Sequence, residues 1–217
     1  MISDKEHASG VFTNALEQHS PRYGVTLDQD AITDLTKYFE LLRAWNPRLH
    51  LVAPCGPAEF ATRHVLESLT ALRYLLDNAR IADIGSGGGL PIIPCLLVNL
   101  SLQAKLIESS QKKGVFLREA LRLQRENKNS IVLVQRFEQT PTPDVQFVTC
   151  RALERFEKMF KTILKWSPSN STLLLFGGSN LKEEIIKASI KFESVQMPDS
   201  TQRFLFVIRP RTLEFSY

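Results

Sequence analysis

Two kinds of hydrophobic spacing divide the chain, and the first of them is helical. Apolar side chains between residues 27 and 42 recur every three or four positions, which is typical of an amphipathic helix. They are Leu27, Ile32, Leu35, Phe39 and Leu42. A second helical pattern runs from Phe60 to Leu76, and we expect Pro47, between the two patterns, to end the first helix. Residues 1–78 are therefore predicted to form a helical segment packed on the rest of the protein.

From residue 79 onward, short apolar runs alternate with helical stretches. Strands are predicted at residues 80–84, 103–107, 131–135, 145–149, 172–176, 192–195 and 204–208, and helices at 91–98, 112–125, 153–165 and 181–189. This alternation predicts an α/β domain over residues 79–217, with a doubly wound, mostly parallel sheet and helices on both faces. The last two strands have no helix between them, so they could form a terminal antiparallel hairpin.

The loop after the first predicted strand carries the strongest chemical signal. Four of its five residues are glycines, at positions 85, 87, 88 and 89, and Pro91 opens the next helix. Glycines let a ligand approach the backbone closely, and doubly wound sheets bind nucleotides at such loops. Leu90 stands where a dinucleotide-binding loop needs glycine, and no lysine follows as in a Walker loop. The spacing Gly85-x-Gly87-x-Gly89 behind Asp83 instead resembles the S-adenosylmethionine loop of class I methyltransferases.

Two later segments could complete a nucleoside site. Glu108 follows the second strand, nineteen residues after Gly89, where a carboxylate can accept hydrogen bonds from both hydroxyls of a ribose. The alternative for Glu108 is a lone surface glutamate. Phe137 and Glu138 follow the third strand and could flank an adenine with an apolar surface and an acceptor, although a phenylalanine after a strand is more often a core residue.

Longer motifs resemble the RsmG (GidB) family, bacterial 16S ribosomal RNA methyltransferases that act on N7 of a guanine in the 530 loop (position 527 type). The matching segments are residues 45–51, 63–69 and 83–91, then Glu108-Ser109, Lys112-Lys113, Phe116-Leu117 and Cys150-Arg151-Ala152. They occur in the family's order from about residue 27 to residue 208. The resemblance implies a class I S-adenosylmethionine-dependent methyltransferase fold, Rossmann-like and seven-stranded, preceded by an N-terminal helical extension.

The resemblance also implies site residues. Together with the glycine spacing and Glu108, it gives the predicted S-adenosylmethionine-binding set: Gly85, Gly87, Gly89, Leu90, Glu108, Phe137, Glu138 and Arg151. Arg151 is in addition the candidate catalytic residue, shared between cofactor and base. Two positions depart from the family pattern: Phe176 stands where a lysine is frequent, and Gln146 where an aspartate is usual, with Asp144 two residues earlier.

Charge is unevenly distributed along a chain whose formal net charge is +4. Residues 105–136 hold eight basic and three acidic side chains. On the helix predicted at 112–125, Arg118, Arg122 and Arg125 would share one face. We therefore predict RNA contacts at Lys112, Lys113, Arg118 and Arg122, with a merely solvated face as the alternative.

Other function classes are disfavoured by the sequence. The three cysteines are widely spaced, and neither they nor the histidines show the spacing of metal ligands, so we expect no metal. We expect no signal peptide, because residues 1–20 contain no apolar run, and we expect no membrane span, because the longest apolar run is interrupted by Pro91 and Pro94. We expect a soluble, cytoplasmic monomer that does not contact membranes.

The expected activity is methylation of guanine N7 in 16S ribosomal RNA, on the free RNA or on the small ribosomal subunit. This nitrogen carries a lone pair and no proton at neutral pH, so the reaction needs no general base. Two alternatives stay open: a methyltransferase of small molecules, and a non-catalytic RNA-binding relative.

Overall fold

The computed structural model describes residues 4–125, 129–151 and 156–210, and a seven-stranded sheet forms its centre. The strands are β1 (Arg80–Ile84), β2 (Gln103–Ile107), β3 (Ile131–Leu133), β4 (Phe147–Arg151), β5 (Thr172–Gly177), β6 (Glu193–Gln196) and β7 (Phe204–Ile208). Their order is β3-β2-β1-β4-β5-β7-β6. β1 to β5 are parallel, and β7 lies antiparallel to both β5 and β6. The predicted mostly parallel sheet and its terminal antiparallel pair are confirmed.

Seven helices accompany the sheet in the described ranges. They are α1 (Asp4–His19), α2 (Gln29–Leu49), α3 (57–73), α4 (Ile92–Val98), α5 (Gln111–Leu121), α6 (Phe156–Trp166) and α7 (Ser179–Lys187). α3 is continuous but changes its winding, from the α-helical turn Pro57–Glu59 through the π-helical Phe60–Leu66 and the α-helical Glu67–Leu69 to a final 3₁₀ turn, Thr70–Arg73. Short 3₁₀ turns also occur at Ser20–Tyr23 and Phe137–Gln139.

Two hydrophobic clusters cover the two faces of the sheet, because side chains of a strand alternate between its faces. Ile81 of β1 belongs to the cluster formed with α1 to α5, whereas its neighbour Ala82 belongs to the cluster formed with α6 and α7. The first cluster joins residues on both sides of position 78, such as Phe12 and Leu106. The proposed division of the chain at residue 78 stays a prediction.

The prediction that Pro47 ends the helix containing Leu35 and Leu42 was wrong. α2 continues to Leu49, with Pro47 inside its last turn. A proline near the end of a helix removes only one backbone hydrogen bond, and here the helix stops where His50 adopts a left-handed conformation with φ 49°. The N–H of His50 donates to the carbonyl of Asn46 at 2.9 Å, which closes the last turn.

Several other boundaries differ from the predictions. α5 ends at Leu121 instead of residue 125, and β3 ends at Leu133 instead of 135. β4 is shifted by two residues, so that Arg151 is its last residue and does not follow it. α4 begins at Ile92, directly after Pro91. Residues 153–155, at the start of a predicted helix, and Lys128 of the basic segment lie outside the described residues.

Candidate active site

A cavity of about 1050 Å³ opens at the carboxyl edge of the parallel strands. The glycine loop, α3, the start of α7 and the β6–β7 connection surround it. Among the predicted site residues, the cavity is lined by Gly85, Gly87, Leu90, Glu108, Lys113 and Arg151. A second cavity of about 330 Å³ contains Phe137 and Glu138 and shares Gly85 and Ser109 with the first. The structure thus brings most of the predicted cofactor residues to two cavities that meet at the glycine loop.

The glycine loop needs its glycines for conformation and for packing. Gly85, Gly87 and Gly89 have φ values of 65°, 51° and 84°, a region that side-chain-bearing residues rarely adopt. A Cβ on Gly89 would lie 2.5 Å from Cγ1 of Ile93, and Gly89 does not line either cavity. Gly85 and Gly87 therefore remain candidates for cofactor contact, whereas Gly89 has a packing reason to be glycine.

Glu108 is buried, with only 8% of its surface exposed, so it is not a lone surface glutamate. Its Oε2 accepts from the backbone N–H of Gly87 at 2.9 Å, and its Oε1 accepts from the N–H of Ser110 at 2.8 Å. A carboxylate has about four acceptor sites, so both oxygens retain capacity for a hydroxyl group. Glu108 thus braces the glycine loop and can hold a ribose at the same time.

Asp83 lies beneath the loop as the fourth residue of β1 and is fully buried. Its Oδ1 accepts from the Thr149 hydroxyl at 2.6 Å, whereas its Oδ2 has no partner among the residues that the structure describes. Burial raises the pKa of Asp83 to about 7. An unpartnered buried acceptor below the loop suits a ligand with a cationic group, directly or through water. The loop, Glu108 and Asp83 together fit S-adenosylmethionine.

The raised pKa of Asp83 predicts a specific pH dependence of stability. Between about pH 4 and pH 7 the folded protein keeps the Asp83 proton while the unfolded chain loses it, so stability falls as pH rises through this window. The slope from this group is at most about 1.4 kcal/mol per pH unit. Asp83→Asn removes this titration. We expect the free energy of unfolding of the variant, minus that of the wild type, to increase from pH 4.5 to pH 7.5 in urea titrations.

The difference between the two proteins is the informative quantity, because other groups contribute equally to both. His64 is one of them: burial, reinforced by Arg151 and Arg63, lowers its pKa to about 4, so its contribution to stability rises with pH. A difference that stays constant across the range would show that Asp83 is ionised in the folded protein even at low pH.

Tyr38 of α2 holds the glycine loop from the N-terminal side, a contact that the sequence analysis missed. Its hydroxyl donates to the carbonyl of Gly88 at 2.5 Å, and both residues are buried. Burial raises the pKa of Tyr38 well above its ordinary value, so the hydroxyl keeps its proton. Tyr38 lies between Leu35 and Leu42 in the helical pattern, where a tyrosine looks like a packing residue.

We expect Tyr38→Phe to destabilise the protein by about 1–3 kcal/mol, because the buried Gly88 carbonyl loses its donor. The affinity for S-adenosylmethionine should fall several-fold, since the loop is less well held. Calorimetric titration and urea unfolding measure the two effects. Tyr74→Phe is the matched control: its hydroxyl donates to the exposed Glu193 at 2.6 Å, away from the loop, and its loss should leave cofactor affinity unchanged. Equal cofactor affinities for all three proteins would contradict this role of Tyr38.

Arg151 forms part of the cavity wall but is tied to α3. Nη1 donates to Ser68 Oγ at 3.1 Å and to the carbonyl of His64 at 3.4 Å. Nη2 donates to the carbonyl of Arg63 at 2.6 Å and to Glu67 Oε2 at 3.0 Å. These bonds use both terminal nitrogens, so the structure presents Arg151 as a brace between β4 and α3 at the cavity.

Glu67 and Arg203 form a second part of the wall that the sequence analysis did not single out. The carboxylate of Glu67 is only 2% exposed and accepts from Arg151 and, at 2.7 Å, from Nε of Arg203. The two partners of Glu67 lie 84 and 136 residues away in sequence. Local spacing carries no signal for such a contact.

The two residues that depart from the family pattern, Phe176 and Gln146, lie at opposite edges of the sheet. Phe176 lines the cavity, and the Arg151 guanidinium lies 5.5 Å from the centre of its ring, a cation–π contact. Gln146 instead accepts from the N–H of Arg80 at 2.7 Å, and Asp144 forms an ion pair with Arg80 at 3.1 Å. Arg80 is at the amino end of β1, opposite the cavity. Of the two, Phe176 is therefore the one that can influence a reaction in the cavity.

The predicted arginine face on α5 does not form as expected. Arg122 follows the last helical residue and pairs with Glu119 at 2.9 Å, and Arg125 lies beyond it. Arg125 forms ion pairs with Asp30 and Asp34 of α2, both at 2.6 Å, and is therefore drawn towards α2. Lys112 and Arg118 are exposed on α5, and Lys113 lines the cavity.

No helix within residues 4–125, 129–151 and 156–210 is long and apolar enough to span a bilayer. In the same ranges, no three histidine, cysteine, aspartate or glutamate side chains are grouped so that they could bind a metal ion.

Comparison with known sequences identifies one family. Residues 31–207 match the family described as rRNA small subunit methyltransferase G, GidB. A ribosomal RNA small subunit methyltransferase G of Sorangium cellulosum is 36% identical over 173 residues, 76% of this chain and 72% of that protein. The protein of the same name from Xylella fastidiosa is 33% identical over 191 residues, 85% of this chain and 90% of that one. A third, from Xanthomonas campestris, is 40% identical over 114 residues, which span about half of each chain (52% and 50%).

Two solved structures share the fold at low sequence identity. TYW2 of M. jannaschii, in complex with AdoMet, has a TM-score of 0.50 and 14% identity, covering 66% of this chain and 73% of that one. The tRNA (m1A58) methyltransferase TrmI from Aquifex aeolicus has a TM-score of 0.51 and 13% identity, covering 67% and 69%. These likenesses concern the fold alone, and they confirm the predicted class I methyltransferase architecture.

Proposed function

The chain belongs to the rRNA small subunit methyltransferase G family, as its motifs predicted, and on this premise we propose that it methylates N7 of a guanine in 16S ribosomal RNA. S-adenosylmethionine is the methyl donor. The finer part of the proposal is the position: the guanine lies in the 530 loop, as the family resemblance implies.

One observation carries the proposal: the cavity that contains the glycine loop and Glu108 also has a basic wall. Arg63, Lys113 and Arg203 line it together with the cofactor residues. A cavity of about 1050 Å³ is at the upper end of the volumes usual for small-ligand sites. It can therefore accept a nucleotide beside the cofactor, and its cations suit the phosphates of RNA.

The cofactor side of the proposal assigns roles to individual residues. Glu108 accepts hydrogen bonds from the ribose hydroxyls, while Gly85, Gly87 and Leu90 provide the surface along which the cofactor lies. Phe137 and Glu138 flank the adenine in the smaller cavity, where Phe137 also packs edge-on against Trp166 with 5.6 Å between ring centres. Gly89 contributes through packing.

The reaction requires the protein to align the methyl donor with guanine N7, and it requires no proton transfer. S-adenosylmethionine supplies an electrophilic methyl carbon when it is bound. Guanine N7 has a lone pair and no proton to lose, so the wall needs no general base, and His64 is neutral there at cellular pH. Alignment of two reactants can supply roughly 7–11 kcal/mol of a barrier. Because the purine becomes cationic, the ring of Phe176 can favour the methylated base.

Arg151 is proposed as a positioning residue in this reaction. Its bonds to α3 fix the wall between the glycine loop and Phe176, and so fix the space in which the base must lie. We propose phosphate contacts for Lys112, Arg118 and Arg122 on the outer surface and for Lys113 at the cavity wall, with Arg122 partly neutralised by Glu119. We also propose that the enzyme acts as a cytoplasmic monomer without a metal, since ribosomal RNA is cytoplasmic and N7 attack needs no Lewis acid.

The test uses small ribosomal subunits from cells that lack this enzyme, incubated with the protein and labelled S-adenosylmethionine. Borohydride reduction and aniline cleavage, which detect N7-methylguanine, should map the label to one guanine of the 530 loop. Salt should suppress the reaction steeply. Transfer to free nucleosides without transfer to subunits would favour a small-molecule enzyme, and the absence of cofactor binding in calorimetry would favour a non-catalytic relative. Either result would overturn the proposal.

A further inference from the structure

We propose that Arg203, held in place by the buried carboxylate of Glu67, binds a phosphate group of the RNA next to the target nucleotide. The inference rests on the proposed function and makes its substrate site more specific. It adds a residue that neither the glycine loop nor the basic segment 105–136 contains.

The hydrogen bonding of Arg203 leaves its terminal nitrogens available. Nε donates to Glu67 Oε1 at 2.7 Å, and no acceptor for Nη1 or Nη2 is found in the part of the chain that the structure describes. The Arg203 side chain is 37% exposed and lines the cavity. A guanidinium fixed through Nε presents its two terminal nitrogens as a fork, which matches two oxygens of a phosphate.

Arg151 shows the opposite arrangement on the same carboxylate. Both of its terminal nitrogens are bonded to α3, through backbone carbonyls, Ser68 and Glu67. Its side chain is 12% exposed. Of the two arginines on Glu67, Arg203 is the one that can take an external ligand without giving up a bond.

The charge of the cluster also favours an anion. Glu67 is one buried negative charge between two guanidiniums, so the group carries one positive charge in excess. Arg63 adds a further cation to the same wall, although Glu59 pairs with it at 2.9 Å. An excess of charge that lines a cleft attracts anions more strongly than the same charges would on an open surface, because the low-dielectric walls focus the electric field.

The loop that carries Arg203 is already held in position. The carbonyl of Arg203 accepts from the N–H of Met197 at 2.9 Å, and its N–H donates to Ser200 Oγ at 3.0 Å. Asp199 in the same loop accepts from Arg22 at 2.6 Å, which ties the loop to the N-terminal region. Because the loop is ordered beforehand, little conformational entropy is lost when a ligand binds.

Two anions could meet Arg203, namely an RNA phosphate and the carboxylate of S-adenosylmethionine. The position of Arg203 favours the phosphate. It directly precedes β7, which is three strands away from β1 in the sheet order, roughly 14 Å at the usual strand spacing. Glu108 lies on the far side of β1, after β2. Arg203 thus borders the half of the cavity that lies away from the ribose site.

The experiment measures binding of the full-length protein to unmethylated small subunits at several salt concentrations, and binding of S-adenosylmethionine by calorimetry. Arg203→Gln should weaken subunit binding about 10- to 100-fold, the usual loss for a charged hydrogen bond. The slope of log affinity against log salt should become shallower by about 0.7–0.9, the value for one phosphate contact. Cofactor affinity should stay within about two-fold of the wild type, which is a free-energy change of only about 0.4 kcal/mol.

Arg80→Gln is the matched control, since Arg80 is also a half-exposed, ion-paired arginine but lies at the opposite edge of the sheet. It should leave both affinities and the salt slope unchanged. If Arg203→Gln does not fold, Arg203→Lys is used to test the inference. It should keep the wild-type salt slope, because the positive charge stays. It should lower the affinity for subunits, because the forked pair of terminal nitrogens is lost.

Wild-type subunit affinity in the variants of Arg203 would overturn the inference. A loss of cofactor affinity without a change in the salt slope would also overturn it, by assigning Arg203 to the cofactor carboxylate. Both results differ from a failure of the proposed function, in which the wild-type protein itself neither binds nor methylates subunits.

Discussion

Replacement of Glu108 by alanine is expected to weaken S-adenosylmethionine binding about 100-fold or more, because two hydrogen bonds to a charged acceptor are lost. The change also leaves the N–H groups of Gly87 and Ser110 without their carboxylate partner, so the glycine loop loses its brace. Both effects lower the affinity for S-adenosylmethionine. Calorimetric titration of the purified variant measures the affinity directly.

Glu119→Ala is the control for this change. Glu119 is likewise a glutamate whose carboxylate accepts hydrogen bonds, but it lies on the surface of α5 and pairs with Arg122. Its removal should leave the cofactor affinity at the wild-type value. An affinity of Glu108→Ala within about three-fold of the wild type, a difference of about 0.65 kcal/mol, would show that the cofactor lies elsewhere.

Arg151→Ala should reduce the single-turnover rate of methyl transfer about 100-fold, the loss that a misplacement of about 1 Å can cause. It should also lower the free energy of unfolding by about 1.5–3 kcal/mol, because the hydrogen bonds of a charged, nearly buried guanidinium are lost while Glu67 keeps Arg203 as its partner. The bonds of Arg151 to α3 are the reason for this loss of stability. Urea unfolding and rapid-quench assays below the melting temperature separate the two effects.

Arg209→Ala provides the comparison for Arg151→Ala. Arg209 likewise pairs with a carboxylate, Glu193, and lies over an aromatic ring, Tyr74, but it does not line the cavity. Its loss should change the rate little. A wild-type single-turnover rate in Arg151→Ala, at saturating cofactor and RNA, would contradict the positioning role.

The parts of the fold that depend on local sequence were predicted well. β1, β2 and β7 have the predicted bounds, because each is a short apolar run between polar or turn residues. The glycine loop was equally predictable from the sequence. Its backbone has positive φ values at Gly85 and Gly87, which few residues other than glycine adopt. The glycine spacing indicated a class I methyltransferase, and the longer motifs then identified the family.

The features that were missed depend on contacts between distant residues. Arg125 leaves the predicted helical face because two aspartates of α2 bind it, 95 residues away in the case of Asp30. Tyr38 reaches the glycine loop across 50 residues, and Arg203 reaches Glu67 across 136. Helical periodicity places such side chains on a face but does not show which partner they meet. The second half of the cavity wall was therefore absent from the sequence-based site.

A crystal structure of the protein with S-adenosylhomocysteine tests most directly whether one cavity holds both reactants. The ribose hydroxyls should lie within hydrogen-bonding distance of the Glu108 carboxylate, and the sulfur should face the space between Phe176, His64 and Arg203. A glycine loop without the nucleoside, or a sulfur turned away from that space, would contradict the proposed arrangement.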